Sequence, residues 1–226
     1  MKKKIDCSLS SCFLCRHCGE GWKELIALKK TTLPVKKGKT IFREGEKVNG
    51  IYFIYSGSAK IHKKWTGNKE LIIRFEKTGG VLGHRGLVSA RVYPVTATAL
   101  EDSKICFIEN AFFESSLLNN PSLTLQFMHL YADELQKAEE RMRNLAMMDV
   151  KGRIADTLLE LNRVFGTGRN NYLALRISRQ DIAAYAGTTY ETVFKFLKTL
   201  TQDKLISVSG KNIRINTTGG LKKFIG

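Results

Sequence analysis

Four cysteines lie close together at the start of the sequence, at positions 7, 12, 15 and 18, and a fifth is Cys106. The run Cys12, Cys15 and Cys18 has the C-x2-C-x2-C spacing that wraps backbone around three corners of an iron-sulfur cubane, whose fourth ligand comes from elsewhere. Four thiolates also suit zinc, although zinc sites usually pair two separated C-x2-C knuckles. The pattern predicts a metal or cluster site, with iron-sulfur as the first hypothesis and zinc or no metal as the alternatives.

The charge of the chain indicates an anionic partner. Its 226 residues include 37 lysines and arginines against 21 acidic residues. Nucleic acid fits best, because each neutralised phosphate releases counterions. No apolar run approaches the roughly 20 residues of a membrane-spanning helix, and no secretory signal follows the basic residues 1–5, so we expect a cytoplasmic protein without a membrane partner. In that reducing compartment, crowded thiols favour a metal site over disulfides.

The stretch that points most directly to function is residues 177–210. Ser178 is predicted to cap a first amphipathic helix, and Thr188 or Thr189 a second. The two helices meet at Gly187, where a residue without a side chain permits a tight turn. Two short apolar segments between residues 205 and 215 flank a Ser-Gly-Lys turn and predict a β-hairpin. Together these elements form a winged helix-turn-helix, an architecture that reads DNA.

The segment from Leu33 to Ile108 consists of short apolar stretches punctuated by glycine. Strands spaced in this way are typical of a sandwich or jelly roll. The predicted strands cover residues 40–42, 51–55, 59–65, 71–75, 96–100 and 104–108.

One long helix is predicted from Ser122 to about Met148, because no glycine or proline interrupts it and apolar residues recur at steps of three or four. Such a stripe needs a partner. We expect a second copy of the chain, with packing on its own roll as the alternative. The predicted dimer interface consists of Phe127, Leu130, Leu135, Met142 and Leu145.

The predicted fold class is α+β, with four regions in chain order. These are a Cys-rich segment at 1–30, a β-roll sensor domain at 31–120, a dimerisation helix at 121–148 and a winged helix-turn-helix DNA-binding domain at 149–226. A helix at 150–165 opens the last region, with a hinge near Asp149.

Three segments, Gly38–His62, Val81–Leu87 and Ser178–Leu200, resemble the CRP/FNR family of bacterial transcription regulators. The resemblance implies a cyclic-nucleotide-binding-like jelly roll, a homodimer that binds a palindromic operator in double-stranded DNA, and RNA polymerase as a further partner. Members that bind cyclic nucleotides carry a Gly-Glu pair for the ribose and an Arg-Ser pair for the phosphate. Here Gly83-His84 and Tyr93-Pro94 stand at those positions, so we do not expect cyclic AMP as the ligand.

The FNR branch of the family holds a 4Fe-4S cluster with three N-terminal cysteines and one cysteine of the roll. By that likeness Cys12, Cys15, Cys18 and Cys106 are the ligands, and Cys7 is a substitute; the spacing departs from the family, which has two and then five residues between its cysteines. The implied function is sensing of oxygen, nitric oxide or redox state. The alternative is a regulator of the same fold that senses haem or a small-molecule effector in its roll, with no cluster and with the cysteines idle. The candidate haem ligands are His84, His62 and His129.

The resemblance also implies which residues read DNA. Tyr190, Glu191, Phe194 and Lys195 would face the bases, while Thr189, Ser178 and Lys198 would contact phosphates. The chain shows no grouping of nucleophile, base and orienting residue, no P-loop and no dinucleotide-binding motif, so we do not expect an enzyme.

Overall fold

The computed structural model describes residues 12–67, 69–87 and 90–225, so the predicted substitute ligand Cys7 lies outside the described residues. The chain divides into two compact units. We call Met1–Lys63 with Arg74–Leu135 the N-terminal unit, and Lys64–Ile73 with Gln136–Gly226 the C-terminal unit. Within the described ranges, no helix is long and apolar enough to cross a membrane.

Two antiparallel four-stranded sheets form the predicted roll, in the orders β1-β8-β3-β6 and β2-β7-β4-β5. The sequence pattern did not reveal β1, which contains Pro34, or β6, which has two residues. A proline is tolerated in β1 because that strand lies at the edge of its sheet. The strands are β1 Thr31–Val35, β2 Thr40–Phe42, β3 Gly50–Ser56, β4 Ser58–Lys64, β5 Glu70–Lys77, β6 Val81–Leu82, β7 Thr96–Ala99 and β8 Ser103–Glu109.

Four helices flank the roll in sequence: α1 Phe13–His17, α2 Glu20–Lys29, α3 Asn110–Asn119 and α4 Pro121–Met147. The long helix α4 was predicted to within one residue at each end. Helix α3 was not predicted, because its apolar residues do not recur at helical spacing. Pro121 opens α4, as expected for a residue that lacks the amide proton that the first turn leaves unpaired.

The winged helix-turn-helix lies in the C-terminal unit. Its elements are α5 Val150–Phe165, α6 Arg179–Ala186, α7 Tyr190–Gln202, the hairpin β9 Ile206–Ser209 and β10 Asn212–Ile215, and α8 Thr218–Lys222. Helix α5 contacts α6 and α8, and α6 contacts α7. Gly152 permits the close approach of α5 and the C-terminal segment, because a Cβ there would lie 2.5 Å from the Phe224 carbonyl oxygen.

Candidate nucleic-acid interface and cysteine cluster

Local capping shapes the helix-turn-helix as predicted. The Ser178 hydroxyl accepts a hydrogen bond from the Asp181 amide at 3.0 Å and so caps α6. The Thr189 hydroxyl accepts from the Thr192 amide at 3.3 Å and caps α7. Between the two helices Gly187 has φ of 62°, a left-handed conformation that favours glycine. The turn is therefore set by residues that are close together in sequence.

Two arginines that the sequence did not single out fasten the end of α6. Arg153 donates from Nε to the Ala186 carbonyl at 2.8 Å and from Nη2 to the Gly187 carbonyl at 3.4 Å. The Arg141 guanidinium lies 3.6 Å from the centre of the Tyr185 ring and also donates to the Tyr185 carbonyl. Cations near a helix C-terminus satisfy its unpaired carbonyls and its dipole. These contacts hold the turn that orients α7.

Helix α7 separates an apolar face from an exposed face. Val193, Phe196, Leu197 and Leu200 are buried. The residues predicted to reach DNA from α7 are all exposed: Tyr190, Glu191, Phe194, Lys195 and Lys198. Thr189 is exposed and Ser178 half-buried, at the starts of the two helices. At roughly 100° per residue, the five α7 residues fall within an arc of about 140° on the exposed side of the helix.

Glu191 is held in its ionised form. Its own backbone amide and the Thr189 hydroxyl donate hydrogen bonds that lower the pKa of Glu191, and the charge of Lys195 adds to the effect. An ionised carboxylate accepts hydrogen bonds but does not donate them. The exposed face of α7 therefore pairs an acceptor, Glu191, with a donor, Lys195, one helical turn apart.

A shallow groove of about 280 Å³ runs between the start of α5 and α7. It is lined by Val150, Lys151, Thr192, Lys195, Phe196 and Thr199, and its surface is mainly apolar. Sequence reasoning did not single out Lys151. The carboxylate of Asp149 caps the N-terminus of α5, so the basic character of this surface comes from Lys151 and Lys195 and not from the helix end.

The three N-terminal cysteines are arranged on α1. Cys12 stands at its N-cap, Cys15 inside it and Cys18 at its C-cap. Because a helix turns by roughly 100° per residue, steps of three keep these side chains within an arc of about 120°. All three are buried, as is Cys106 of β8, and the four belong to a single apolar cluster. The structure thus brings the predicted thiols into one region of the N-terminal unit.

The thiols differ in acidity. A hydrogen bond with the Cys15 side chain lowers the pKa of Cys12 to about 7, whereas burial raises the pKa of Cys18. A set of four buried thiols is chemically suited to an iron-sulfur cluster. Among residues 12–67, 69–87 and 90–225, no three His, Cys, Asp or Glu side chains are grouped to hold a single metal ion.

Residues 12–19, which we call the Cys segment, are fastened to the junction of α3 and α4. The Gly19 amide donates to Asn120 Oδ1 at 3.0 Å, and the Ser122 hydroxyl donates to the His17 carbonyl at 3.2 Å. The Phe13 ring packs edge-on against Phe127, with 4.8 Å between ring centroids. Asn120 is itself buried and oriented by a bond from Nδ2 to the Ser116 carbonyl. No sequence pattern had pointed to these contacts.

Gly83-His84 and Tyr93-Pro94 stand where some relatives carry their nucleotide-binding pairs. Here His84 and Tyr93 make contacts within the N-terminal unit. His84 is completely buried, with Nε2 3.0 Å from Glu134 Oε1, and its carbonyl accepts a hydrogen bond from the Tyr131 hydroxyl at 2.6 Å. Tyr93 is buried too. Its hydroxyl donates to the Gly50 carbonyl at 2.8 Å, and its ring stacks on Phe42. Neither position presents a charged group to a ligand phosphate.

The two other candidate haem ligands are His62 and His129. His62 is buried, with Nε2 2.9 Å from the Thr98 hydroxyl, and His129 is exposed on α4. His84, the third, is shielded from solvent by its own unit.

The predicted dimer residues of α4 fall into two groups. Leu135 and Met142 are 63% and 68% exposed, while Leu130 and Leu145 are half-buried. Phe127, by contrast, is 4% exposed, because the Cys segment and α3 cover it inside its own unit. Its aromatic ring serves intrachain packing, and the accessible apolar positions of α4 lie elsewhere on the helix.

A β-roll followed by a winged helix-turn-helix with a capped and exposed reading helix defines a class of protein, the DNA-binding transcription regulators. Residues 32–120 match the cyclic nucleotide-binding domain family, and residues 152–224 match the Crp-like helix-turn-helix domain family.

Individual proteins that resemble this chain agree with the family matches. Transcriptional activator protein FnrA of Stutzerimonas stutzeri is 30% identical over 98% of this chain and 91% of its own length. The cAMP-activated global transcriptional regulator CRP of Salmonella typhimurium is 32% identical over 79% of this chain and 86% of its own length. The structure of FixK2 from Bradyrhizobium japonicum matches with a TM-score of 0.78 at 25% identity, covering 87% of this chain and 98% of that one. The chain belongs to the CRP/FNR family, whose members are transcription regulators and not enzymes.

Proposed function

We propose that this DNA-binding regulator works as a homodimer that reads a palindromic operator and adjusts its DNA affinity through an iron-sulfur cluster held by four cysteines. The signal is oxygen, nitric oxide or redox state, and RNA polymerase is the partner at the promoter. The observation that carries the sensing role is the burial of Cys12, Cys15, Cys18 and Cys106 in one apolar cluster.

DNA reading is assigned to the exposed face of α7. Glu191 accepts from a cytosine amino group, Lys195 donates to guanine O6 and N7, and Tyr190 and Phe194 lie beside them. Thr189, Ser178 and Lys198 contact phosphates, which position the protein without specifying sequence. Lys151, in the groove beside α7, is a further candidate for a phosphate contact.

Two substitutions separate these roles. Glu191→Ala is expected to relax base preference at one operator position, by roughly 1–3 kcal/mol of discrimination, whereas Lys198→Ala is expected to weaken all duplexes alike and lower the salt dependence by about one counterion. The measurement is affinity for selected and random duplexes at several salt concentrations. Equal losses on both kinds of DNA for both variants would refute the roles.

The dimer is assigned to α4. Met128, Leu135 and Met142 recur every seven residues and are 64%, 63% and 68% exposed. A seven-residue apolar repeat is typical of a coiled-coil seam between two helices. Two α7 helices held about one turn of DNA apart would then enter successive major grooves.

Cys12, Cys15 and Cys18 on α1 and Cys106 on β8 would hold the cluster. When bound, a cluster of this kind supplies a centre whose ligation changes on reaction with oxygen or nitric oxide. The chain contributes the coupling, because the Cys segment contacts the start of α4 through Asn120 and Ser122. Release of that segment removes these contacts from the helix that carries the dimer seam. A shift in dimer stability between two states is what such a switch requires.

Anaerobic purification followed by iron, sulfide and zinc analysis tests the cofactor. We expect about four iron atoms and about four sulfides per chain, and loss of most of them in Cys106→Ser. Cys7→Ser is the matched control and is expected to retain its iron. If Cys106→Ser contains as much iron as the wild type, Cys106 is not a ligand. If the protein contains stoichiometric zinc and no sulfide, the cysteines bind zinc and not an iron-sulfur cluster.

A further inference from the structure

An aromatic pair marks the exposed side of α7. Tyr190 and Phe194 stack with 6.3 Å between ring centroids and 15° between ring planes. They are 44% and 50% exposed, and within residues 150–225 they are the only exposed large hydrophobic side chains. Exposure of large apolar groups in one place indicates a contact surface rather than chance.

The pair lies beside a polar strip on the same helix. Glu191 and Lys195 follow Tyr190 and Phe194 by one residue each, so the two strips run in parallel and differ by roughly 100° around the helix axis. A surface that faces DNA through Glu191 and Lys195 therefore presents the two rings to the same groove. The apolar feature of base-pair edges in the major groove is the C5 methyl group of thymine.

We propose that Tyr190 and Phe194 form one surface that reads thymine C5 methyl groups in each half-site. This inference rests on the proposed DNA-reading role of α7 and specifies its chemistry. The ring spacing of 6.3 Å is close to two base steps of about 3.4 Å each, so the rings meet two thymines separated by one base pair.

Arg179 is the positioning residue of this surface. Its guanidinium carbon lies 5.9 Å from the Phe194 ring centroid, within cation-π range. Its Nε is buried and has no hydrogen-bond partner in the part of the chain that the structure describes. Arg179, at the start of α6, thus contacts the Phe194 ring of the stack.

Replacement of thymine by deoxyuridine removes only the methyl group, so it tests the proposal directly. Duplexes are first selected from a random pool by the full chain, prepared both with and without oxygen. In the selected duplex, thymidines are then replaced one at a time. We expect about fourfold weaker binding at each of two positions per half-site, the effect of losing one buried methyl. Bromodeoxyuridine, which restores a group of similar size at C5, is expected to restore affinity.

The variants assign the effect to residues. In Phe194→Ala the deoxyuridine effect should fall below about 1.5-fold at one of the two positions, and in Tyr190→Ala at the other. Tyr190→Phe keeps the ring and should keep the effect. Arg179→Met should reduce methyl discrimination at the Phe194 position more than it reduces affinity for random DNA, whereas a phosphate contact would lower affinity for both equally.

The outcomes distinguish this inference from the function on which it rests. If deoxyuridine changes the affinity for the selected duplex by less than about 1.5-fold at every position, the methyl-reading proposal is wrong and the DNA-reading role of α7 still stands. A deoxyuridine effect that persists in both alanine variants would also overturn it. A chain that selects no sequence in either preparation would overturn both.

Discussion

The Cys segment and the helix-turn-helix are both helical, but they are held in opposite ways. Helices α6 and α7 have side-chain caps from residues three positions away, Ser178 to Asp181 and Thr189 to Thr192. Helix α1 has no side-chain cap and only five residues, and its contacts reach to the α3–α4 junction about a hundred residues later. An isolated helix of that length is not stable in water.

This difference indicates which part of the molecule responds to a signal. Helices α6 and α7 are held by their own caps and by packing and arginine contacts within the C-terminal unit. A short helix that depends on distant contacts and on its thiols is ordered only while those contacts persist. We therefore expect the Cys segment to be the region that changes and the reading helix to be the region that stays the same.

The largest effect is expected from Phe127→Ala. Its ring contacts Phe13 of the Cys segment and Phe113 of α3 and is 4% exposed, so truncation leaves a cavity that costs roughly 3–5 kcal/mol of unfolding free energy. Denaturant unfolding of the full chain checks the value. His129→Ala, on the exposed side of α4, should change stability by less than about 0.5 kcal/mol. A cost equal to that of His129→Ala would show that Phe127 is not part of the core.

Asn120→Ala is expected to weaken the attachment of the Cys segment to the α3–α4 junction. Loss of Oδ1 leaves the Gly19 amide without its acceptor, a cost of about 1–3 kcal/mol that should speed its hydrogen exchange by roughly 5- to 140-fold. Asn119→Ala is a matched control, because Asn119 donates to the Ser115 carbonyl at 2.8 Å just as Asn120 donates to Ser116 but is exposed. Exchange that rises equally in both variants would contradict the role of Asn120.

The buried pair of His84 and Glu134 predicts acid sensitivity of the N-terminal unit. Burial lowers the pKa of His84 below its ordinary 6.5, with Arg74 and Arg85 adding to the effect and Glu134 opposing it. The unfolded chain therefore binds the proton more readily, and stability is lost as pH falls below that ordinary value. For one proton, the free energy of unfolding should change by no more than about 1.4 kcal/mol per pH unit.

Glu134 acts in the same direction at lower pH. Although burial raises its pKa, the hydrogen bond from His84 and the charge of Arg74 outweigh this and lower it below its ordinary 4.5. The stability that Glu134 contributes is thus present above that value and lost as pH falls through its pKa in the folded protein. Unfolding titrations between about pH 7.5 and 5 should be flatter for His84→Gln than for the wild type. An unchanged slope would exclude His84 as its source.

Ser178→Ala is expected to have the smallest effect and to leave the Cys segment unchanged. Loss of the α6 cap should lower the free energy of unfolding by about 1 kcal/mol. Because the effect stays within the C-terminal unit, it separates the stability of the helix-turn-helix from that of the Cys segment. Hydrogen exchange should rise in α6 and not in α1. Ser209→Ala, an exposed position of the same unit, serves as the control. Faster exchange in α1 would contradict the independence of the two regions.

The same contrast explains how much the sequence revealed. The caps Ser178 and Thr189, the turn at Gly187 and the buried stripe of α7 depend on neighbours within a few residues, and each was predicted. The limits of α4 were predicted for the same reason.

Long-range contacts left no such pattern. Neither Asn120 nor Arg153 stands in a recognisable motif, and the pairing of His84 with Glu134 joins residues fifty positions apart. Phe127 was predicted at a dimer seam because its helical spacing fits one, but the spacing does not tell which chain covers it. The cysteines were found by their spacing, whereas their shared apolar surroundings required the fold.

Amide hydrogen exchange in anaerobically purified protein, before and after exposure to air, tests the central claim most directly. The amides of Arg16, Cys18 and Gly19 are the probes, because they donate within α1 and to Asn120. We predict that air abolishes their protection while α6 and α7 remain as protected as before. Protection of the Cys segment that survives loss of iron, or that falls together with that of α7, would contradict the account.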